Sequence, residues 1–254
     1  MHRTRIEVPP IMPMPHRSVS GRIRYTSKKH ELLDQKRGQE WFRFTHHGDG
    51  RVIMRAHCEI EEPEPTVLRD IVYAMDENGV PEYLHVHLTV GDAPMGSGWL
   101  RHDEEQGVIE CESDSPSLGR LSERVEVAGA FDGFGTHPVV GDGFLARCMD
   151  PSQGPHRRTL RVFLPSPDHR GATPPQVAEV HIDLEFVGIE EKTVEAGTFR
   201  CRHLRFIDDS DAGMGGTTHP TYDVWVTDDD DCILVYGSID GYMMNRYELI
   251  SLDR

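Results

Sequence analysis

Apolar and polar residues alternate along most of this chain with a period of two residues. In the segment 52–60, Val52, Met54, Ala56 and Cys58 share one face, and charged residues occupy much of the other. This period is the signature of a β-strand that buries one face. The segment therefore predicts an amphipathic strand whose polar face is solvated or lines a polar cavity.

Turn residues separate the apolar runs and predict hairpins. Asn78-Gly79 lies between the runs 67–75 and 82–90, and Asn-Gly is a strong hairpin signal. Similar turns are expected at 47–50 and 104–107. Much of the first half of the chain thus predicts consecutive antiparallel strands.

The segment 188–252 predicts a closing meander of antiparallel strands. One strand is expected to end at Gly188, and the next to start at Thr198. The acidic block Asp228–Asp231 separates two further apolar runs. It lacks the ligand spacing of a calcium loop, so we interpret it as a hairpin tip.

The centre of the chain interrupts this pattern. Residues 129–150 are rich in glycine and then place apolar residues at helical spacing. These apolar residues are Val139, Val140, Phe144, Leu145 and Cys148. The pattern predicts a short helix that plugs one end of a barrel or lies across an open half-barrel. Together with the strands, it predicts an all-β fold: a strongly curved antiparallel sheet or partial barrel with one or two short helices.

Domain organisation follows from the proline content. Residues 1–20 contain four prolines and no sustained period, which predicts an extended arm. Such an arm could wrap the body or a neighbouring copy, so a homodimer stays open. Residues 21–254 are expected to form a single β-domain, a size that β sandwiches and barrels often reach.

The charge of the chain argues against two classes of binding partner. The formal net charge of −16 argues against nucleic acid, because phosphate binding depends on Lys and Arg. It also argues against an anionic membrane surface. The basic residues concentrate between Arg22 and Arg37, which we interpret as a solvated segment or a docking strip for an acidic partner.

Cysteine usage and the N-terminus predict a location. The five cysteines are widely spaced and form no C-x-x-C pair, which favours free thiols over disulfides or zinc. No apolar signal segment precedes the first strand, and no stretch approaches the roughly 20 apolar residues of a membrane helix. We therefore expect a cytoplasmic protein.

Five segments near the C-terminus carry a resemblance. They are Phe186–Glu190, Thr193–Phe199, Arg202-His203, Trp225 and Tyr247–Leu249. They resemble an uncharacterised family of bacterial proteins with a V-x-A-G-T-F segment, over about the last quarter of the chain. The resemblance implies a curved sheet that closes into an incomplete, lipocalin-like barrel, akin to lipoprotein-carrier folds. It implies no agreed activity, and many members look exported, whereas this chain shows no signal segment.

Two histidine sites offer candidate chemistry. His85 and His87 lie on one face of an expected strand, spaced for a shared metal or for a polar cavity wall. The spacing is reminiscent of the first metal motif of cupins, but only Asp92 stands for the expected acid, so we favour a solvated or cavity-lining pair of histidines. His137 follows a glycine-rich break, where it could act as general acid or base or simply cap a turn.

A third candidate spans two strands. His203 and Arg205 share one face, and the preceding strand carries His181 and Asp183 on one face. If both faces point inward, they form a constellation that could bind an anion and move a proton. If they point outward, they are solvated cross-strand pairs. The apolar residues that alternate with His181 and Asp183 form a good core face, which favours the outward arrangement.

These residues lead to three functional hypotheses. The first is an enzyme without cofactor or metal that acts on a small hydrophobic or aromatic metabolite by proton transfer, as a lyase, isomerase or dehydratase. Its acid–base pool would be His85, His87, His137 and His203. Its substrate contacts would be Tyr83, Trp99, Arg101, Arg205, Trp225 and Tyr236. The second hypothesis is a non-catalytic protein that binds a lipid-like or aromatic ligand, and the third is a cupin-like metalloenzyme.

Overall fold

The structure, a computed structural model, describes residues 15–61, 64–168, 170–207 and 219–254. Within these ranges, 15 strands form one open sheet. The strands are β1 (Arg17–Ser27), β2 (Lys36–His46), β3 (Val52–Ile60), β4 (Val67–Met75), β5 (Pro81–Val90), β6 (Ala93–Asp103), β7 (Val108–Ser115), β8 (Gly119–Glu126), β9 (Gly133–Phe134), β10 (His156–Leu164), β11 (Ala178–Val194), β12 (Gly197–Ile207), β13 (Tyr222–Thr227), β14 (Leu234–Ile239) and β15 (Asn245–Asp253). One α-helix, α1 (Asp142–Ala146), and 3-10 turns at His30–Leu32, Val139–Gly141 and Pro151–Gln153 complete the described elements.

Strands that are consecutive in the sequence are neighbours in the sheet, except β8 and β9, which lie at its two edges. The sheet runs from β8 back to β1, then from β15 back to β9, and β1 pairs with β15 at its middle. Neighbouring strands are antiparallel except β9 and β10, which are parallel. The predicted all-β fold with an open antiparallel sheet and a short helix is confirmed.

The sheet curls so that its two halves face a common core. Tyr73 of β4 accepts a hydrogen bond at 3.2 Å from the backbone N–H of Phe134 in β9, although the two strands lie far apart in the strand order. Near the edge strand β8, the Glu123 carboxylate accepts a hydrogen bond at 2.9 Å from the N–H of Val177, just before β11. These contacts join the two halves of the sheet through strands that do not pair with each other.

The alternation predicted for β3 is confirmed. Met54, Ala56 and Cys58 are buried in the core, whereas Arg55 is exposed and His57 is partly exposed on the opposite face. The same period continues through the neighbouring strands, so one side of the sheet is apolar and encloses the core, and the other side carries most of the charge.

The predicted helix is also confirmed, and it lies inside the curled sheet. Phe144 of α1 packs edge-on against Phe44 and Tyr73, with ring centroids 5.0 and 5.3 Å apart. Gly143 allows the close approach, because a Cβ at this position would lie 2.0 Å from the carbonyl oxygen of Cys232. We call residues 138–149, which hold α1 and the preceding turn, the plug.

Two boundaries differ from the sequence-based expectation. β11 does not end at Gly188 but continues to Val194, with an irregularity in its pairing between Phe186 and Gly188. A glycine inside a strand often marks such a bulge, so a strand end was the wrong interpretation. β1 begins at Arg17, which places residues 17–20 in the sheet, and residues 1–14 of the expected arm lie outside the described residues.

Candidate functional site

A partly open cavity of about 560 Å³ lies between the inner faces of β1–β3, the plug and β10–β15. Ligand pockets typically measure roughly 300–1,000 Å³, so a small molecule fits. Much of the lining is aliphatic or aromatic, including Ile60, Leu145, Leu164, Ile182, Phe206 and Ile239. Polar and charged side chains occupy the remainder.

Glu40 attaches the plug to the sheet beside this cavity. It lies on the inner face of β2 and is fully buried. Its carboxylate accepts hydrogen bonds from the Tyr25 hydroxyl at 2.6 Å and from the backbone N–H groups of Val139 and Val140 at 2.9 and 3.0 Å. Burial raises the pKa of Glu40 to about 7, although these three donors and the charge of Arg69 oppose the shift.

Asp142 places a carboxyl in the cavity lining, which also includes Asp168 and Glu179. It is the first residue of α1, and its half-buried side chain lines the cavity. Burial raises the pKa of Asp142 to about 8, the nearby Glu40 adds to the rise, and the Tyr222 hydroxyl opposes it. Asp142 is therefore largely protonated at neutral pH.

Four aromatic rings form a continuous wall of the cavity, which we call the aromatic wall: Tyr25, Tyr247, Tyr222 and Phe206. Tyr25 meets Tyr247 edge-on at 4.9 Å between centroids, and Tyr247 meets Tyr222 edge-on at 5.7 Å. Phe206 stacks on Tyr222 at 5.6 Å. Burial raises the pKa of all three phenols, so they stay neutral.

His137 is the member of the predicted acid–base pool that lines this cavity. Its backbone has a φ of 66°, in the left-handed region, which directs the chain from β9 into the plug. The loop after β10 packs on its imidazole, since a Cβ at Gly171 would lie 2.5 Å from the ring. His137 is thus held between the cavity and this loop.

His85 and His87 lie elsewhere, exposed on the outer face of β5. With Trp99 they line an open surface groove across β4–β8, which we call the outer groove. Tyr83 meets the His85 ring edge-on at 5.3 Å, and Arg101 pairs with Asp103, two residues further along β6. Among the residues that the structure describes, no group of three or more potential ligands is placed to hold a metal ion.

His203 and Arg205 point outward from β12, as the core pattern favoured. The His203 ring stacks on Trp225 at 4.2 Å, and its Nε2 lies 2.8 Å from Asp223 Oδ1. Arg205 Nε donates to the same carboxylate oxygen at 2.9 Å. Tyr236 meets Trp225 at 5.4 Å on this outer face. The group is a cross-strand cluster on the outside of the sheet, away from the cavity.

The four histidines of the predicted acid–base pool therefore do not converge. Leu84, Val86 and Leu204 fill the inner face, so the residues that alternate with them, His85, His87 and His203, must point outward. The catalytic role of each histidine stays a prediction, but the common pocket that motivated it does not form.

Sequence reasoning overlooked the buried charged residues. Glu40 is in phase with Phe42 and Phe44, and Arg69 is in phase with Val67 and Ile71, so each interrupts an apolar face. A lone charge in an apolar phase is the signal that could have found them, because such residues are almost never fully buried without partners. Arg69 donates to the carbonyl oxygen of Gly171 at 2.8 Å.

Arg37 corrects a further expectation. We interpreted the basic segment that ends at this residue as solvated or as a docking strip for an acidic partner. The Arg37 side chain is instead buried and lines the cavity. Its Nη1 donates to the carbonyl oxygen of Met243 at 2.8 Å. The segment thus reaches from the surface into the interior.

Comparisons with known proteins address the fold. No protein-family model matches this sequence, and no curated protein is detectably similar to it. Among solved structures, the chain is similar to a β-barrel-like protein of Brucella abortus with a domain of unknown function, DUF1849. The TM-score is 0.54 at 10% identity, over 93% of this chain and 97% of that one. The chain has a β-barrel-like fold.

A second similar structure is a Bacteroides fragilis protein with a YmcC-like fold, proposed to be exported. Its TM-score is 0.34 at 9% identity, over 93% of this chain and 95% of that one, which is too low to support a structural argument. The expected resemblance to uncharacterised proteins with a curved β-sheet agrees with these neighbours of unknown function. That the V-x-A-G-T-F segment identifies such proteins stays a prediction. Among the described residues, no helix has the length and apolar character needed to cross a membrane.

Proposed function

We propose that this protein binds a small, largely apolar molecule in the cavity and does not transform it. The observation that carries the proposal is the cavity of about 560 Å³ with its largely apolar and aromatic lining. When an apolar ligand replaces water in such a cavity, the burial of apolar surface favours binding. A few polar side chains then fix the orientation of the ligand. This is the binding hypothesis drawn from the sequence, now tied to a defined set of side chains.

The dispersal of the histidines supports binding over catalysis. A proton-transfer site needs its acid and base within hydrogen-bonding reach of one substrate. His85 and His87 lie in the outer groove, and His203 is engaged with Asp223 on the outer face. Only His137 of this pool lines the cavity, so the proposed four-histidine mechanism lacks its geometry.

One observation supports acid–base catalysis in the cavity as a second candidate function. His137 and Asp142 line the same cavity, and a carboxyl with a pKa of about 8 is suited to general acid catalysis at neutral pH. These two residues, rather than the predicted pool, would then serve a lyase or isomerase. Loss of turnover in both His137→Ala and Asp142→Asn, with ligand affinity retained, would favour this candidate.

Filling the cavity tests the binding proposal. Ile182 lines the cavity from β11, whereas Ile189 on the same strand is equally half-buried but lies outside the lining. We expect Ile182→Trp to weaken binding of N-phenyl-1-naphthylamine, a neutral fluorescent probe, at least tenfold, because the indole occupies ligand space. Ile189→Trp is the matched control and should bind like the wild type. Equal affinities for both variants, or no binding by the wild type, would refute the proposal.

The outer histidines should not contribute to this binding. Because His85 and His87 are exposed on the opposite face of the sheet, we expect the double change His85→Ala/His87→Ala to leave the affinity for the same probe within twofold of the wild type. Fluorescence titration measures this directly. A loss of fivefold or more would place the ligand in the outer groove instead.

We also propose a cytoplasmic location. All five cysteines are free thiols, and four of them are buried. Proteins that persist in oxidising compartments more often pair their cysteines, so free thiols support a reducing environment. Fractionation of the cells that produce the protein tests this, and recovery in the envelope fraction would contradict it.

A further inference from the structure

We propose that the ligand of the cavity carries a protonated amine, which pairs with the Asp142 carboxylate against the aromatic wall. This inference rests on the proposed function, and it names the chemical class of the ligand.

The carboxyls of Glu40 and Asp142 differ in their hydrogen-bond donors. Glu40 already accepts three hydrogen bonds, from the Tyr25 hydroxyl and from the N–H groups of Val139 and Val140. Among the residues that the structure describes, Asp142 has no comparable set of donors. The Tyr222 hydroxyl lies close enough to influence the Asp142 carboxyl, but this buried hydroxyl makes no hydrogen bond of ordinary geometry within the described residues. An ionised Asp142 therefore needs a donor, and a ligand that enters the cavity can supply it.

The rings around Asp142 suit a cation. Tyr222 and Tyr247 both lie close enough to interact electrostatically with Asp142, and both line the cavity. Aromatic rings attract cations through the negative potential of their faces, and the attraction strengthens when water is excluded. A carboxyl beside two tyrosine rings is thus complementary to a ligand that carries an ammonium group on an apolar skeleton.

The charges near the site agree with this choice. Glu40 from β2 is the charged group that perturbs Asp142, and the polar Tyr222 and Tyr247 approach it from β13 and β15. Lys29, Arg37 and Arg170 line the cavity as well, as do the carboxyl groups of Asp168 and Glu179. The formal net charge of −16 additionally favours the approach of a cation over an anion.

Binding of an ammonium has a defined proton balance. Burial keeps Asp142 largely protonated at pH 7, because its pKa lies near 8. When the ammonium enters, the carboxyl loses its proton to the buffer, and the carboxylate and ammonium form an ion pair. No covalent bond forms or breaks apart from this O–H bond. Close to one proton is thus released for each amine bound.

Three probes with one ring system test the inference: 2-naphthylmethylamine, 2-naphthalenemethanol and 2-naphthoate. Titration calorimetry at pH 7 should show that the amine binds the wild type at least tenfold more tightly than the alcohol. Repeating the amine titration in two buffers with different ionisation enthalpies should give a release of close to one proton. This second readout uses the wild type and does not depend on the folding of any variant.

Substitution of the carboxyl supplies the third readout. In Asp142→Asn, the ratio of amine to alcohol affinity should fall from at least ten to near one. The matched control is Asp253→Asn, which changes an exposed aspartate at the end of β15 and should keep the wild-type ratio.

The outcomes separate the two proposals. Binding of the alcohol or the acid as tightly as the amine, or amine binding without proton release, would overturn the amine inference and leave the binding function standing. Failure of all three probes and of N-phenyl-1-naphthylamine would overturn both.

Discussion

Replacing Glu40 with alanine is expected to destabilise the folded protein by about 3–5 kcal/mol. The Glu40 carboxylate is the acceptor for the Tyr25 hydroxyl and for the N–H groups of Val139 and Val140, and it is fully buried. A buried donor that loses its acceptor costs about 1–3 kcal/mol, and here three donors lose theirs at once. Because Val139 and Val140 start the plug, the change should also loosen one wall of the cavity.

Urea unfolding of the Glu40→Ala variant measures this loss. The matched control is Glu191→Ala on β11, where the glutamate is exposed and the change should cost less than about 0.5 kcal/mol. A loss below about 1 kcal/mol for Glu40→Ala would show that this carboxylate does not hold the plug.

The free energy of unfolding should fall as the pH rises from about 4 to about 8. Burial raises the pKa of Glu40 to about 7 and that of Asp142 to about 8, both above their ordinary values of 4.5 and 3.8. The folded state therefore binds these protons more tightly than the unfolded state does. The contribution of these two carboxyls to the free energy of unfolding is fully present below their ordinary pKa values. It is lost as the pH rises through their raised pKa values in the folded protein.

The variant Asp142→Asn isolates one of these two groups. One unit of pKa shift corresponds to about 1.4 kcal/mol, so relative to the wild type the variant should gain about 2 kcal/mol or more in unfolding free energy between pH 5 and pH 9. Asp253→Asn serves as the control, and its stability should follow the wild type at each pH. Parallel curves for the wild type and Asp142→Asn would mean that Asp142 is not desolvated in the folded protein.

Much of the fold was predictable because local pattern and global fold agree. Alternation in β3 and the Asn78-Gly79 turn between β4 and β5 specify strands and register without long-range information. Gly188 misled because a glycine in a strand and a glycine at a strand end look alike in sequence. The pairing of β11 with β12, which extends from Asp183 to Val194, shows that the strand continues past Gly188.

The site was less predictable than the fold. The alternation of residues along a strand assigns side chains to two faces of the sheet. Which face is buried becomes clear only when the apolar residues that alternate with each histidine are identified. For His85 that set was visible in Leu84 and Val86, so its outward position could have been deduced. Glu40 and Asp142 become neighbours only when the plug folds back onto β2, which depends on contacts across 100 residues of chain.

The location of a bound ligand tests the central claim most directly. Crystals grown with 6-bromo-2-naphthalenemethanol would reveal the bromine by its anomalous scattering. We expect one strong peak inside the cavity, between the aromatic wall and the aliphatic side chains of Leu164 and Ile182. A peak in the outer groove beside Trp99, or an empty cavity at saturating ligand, would contradict a binding function for the interior of this sheet.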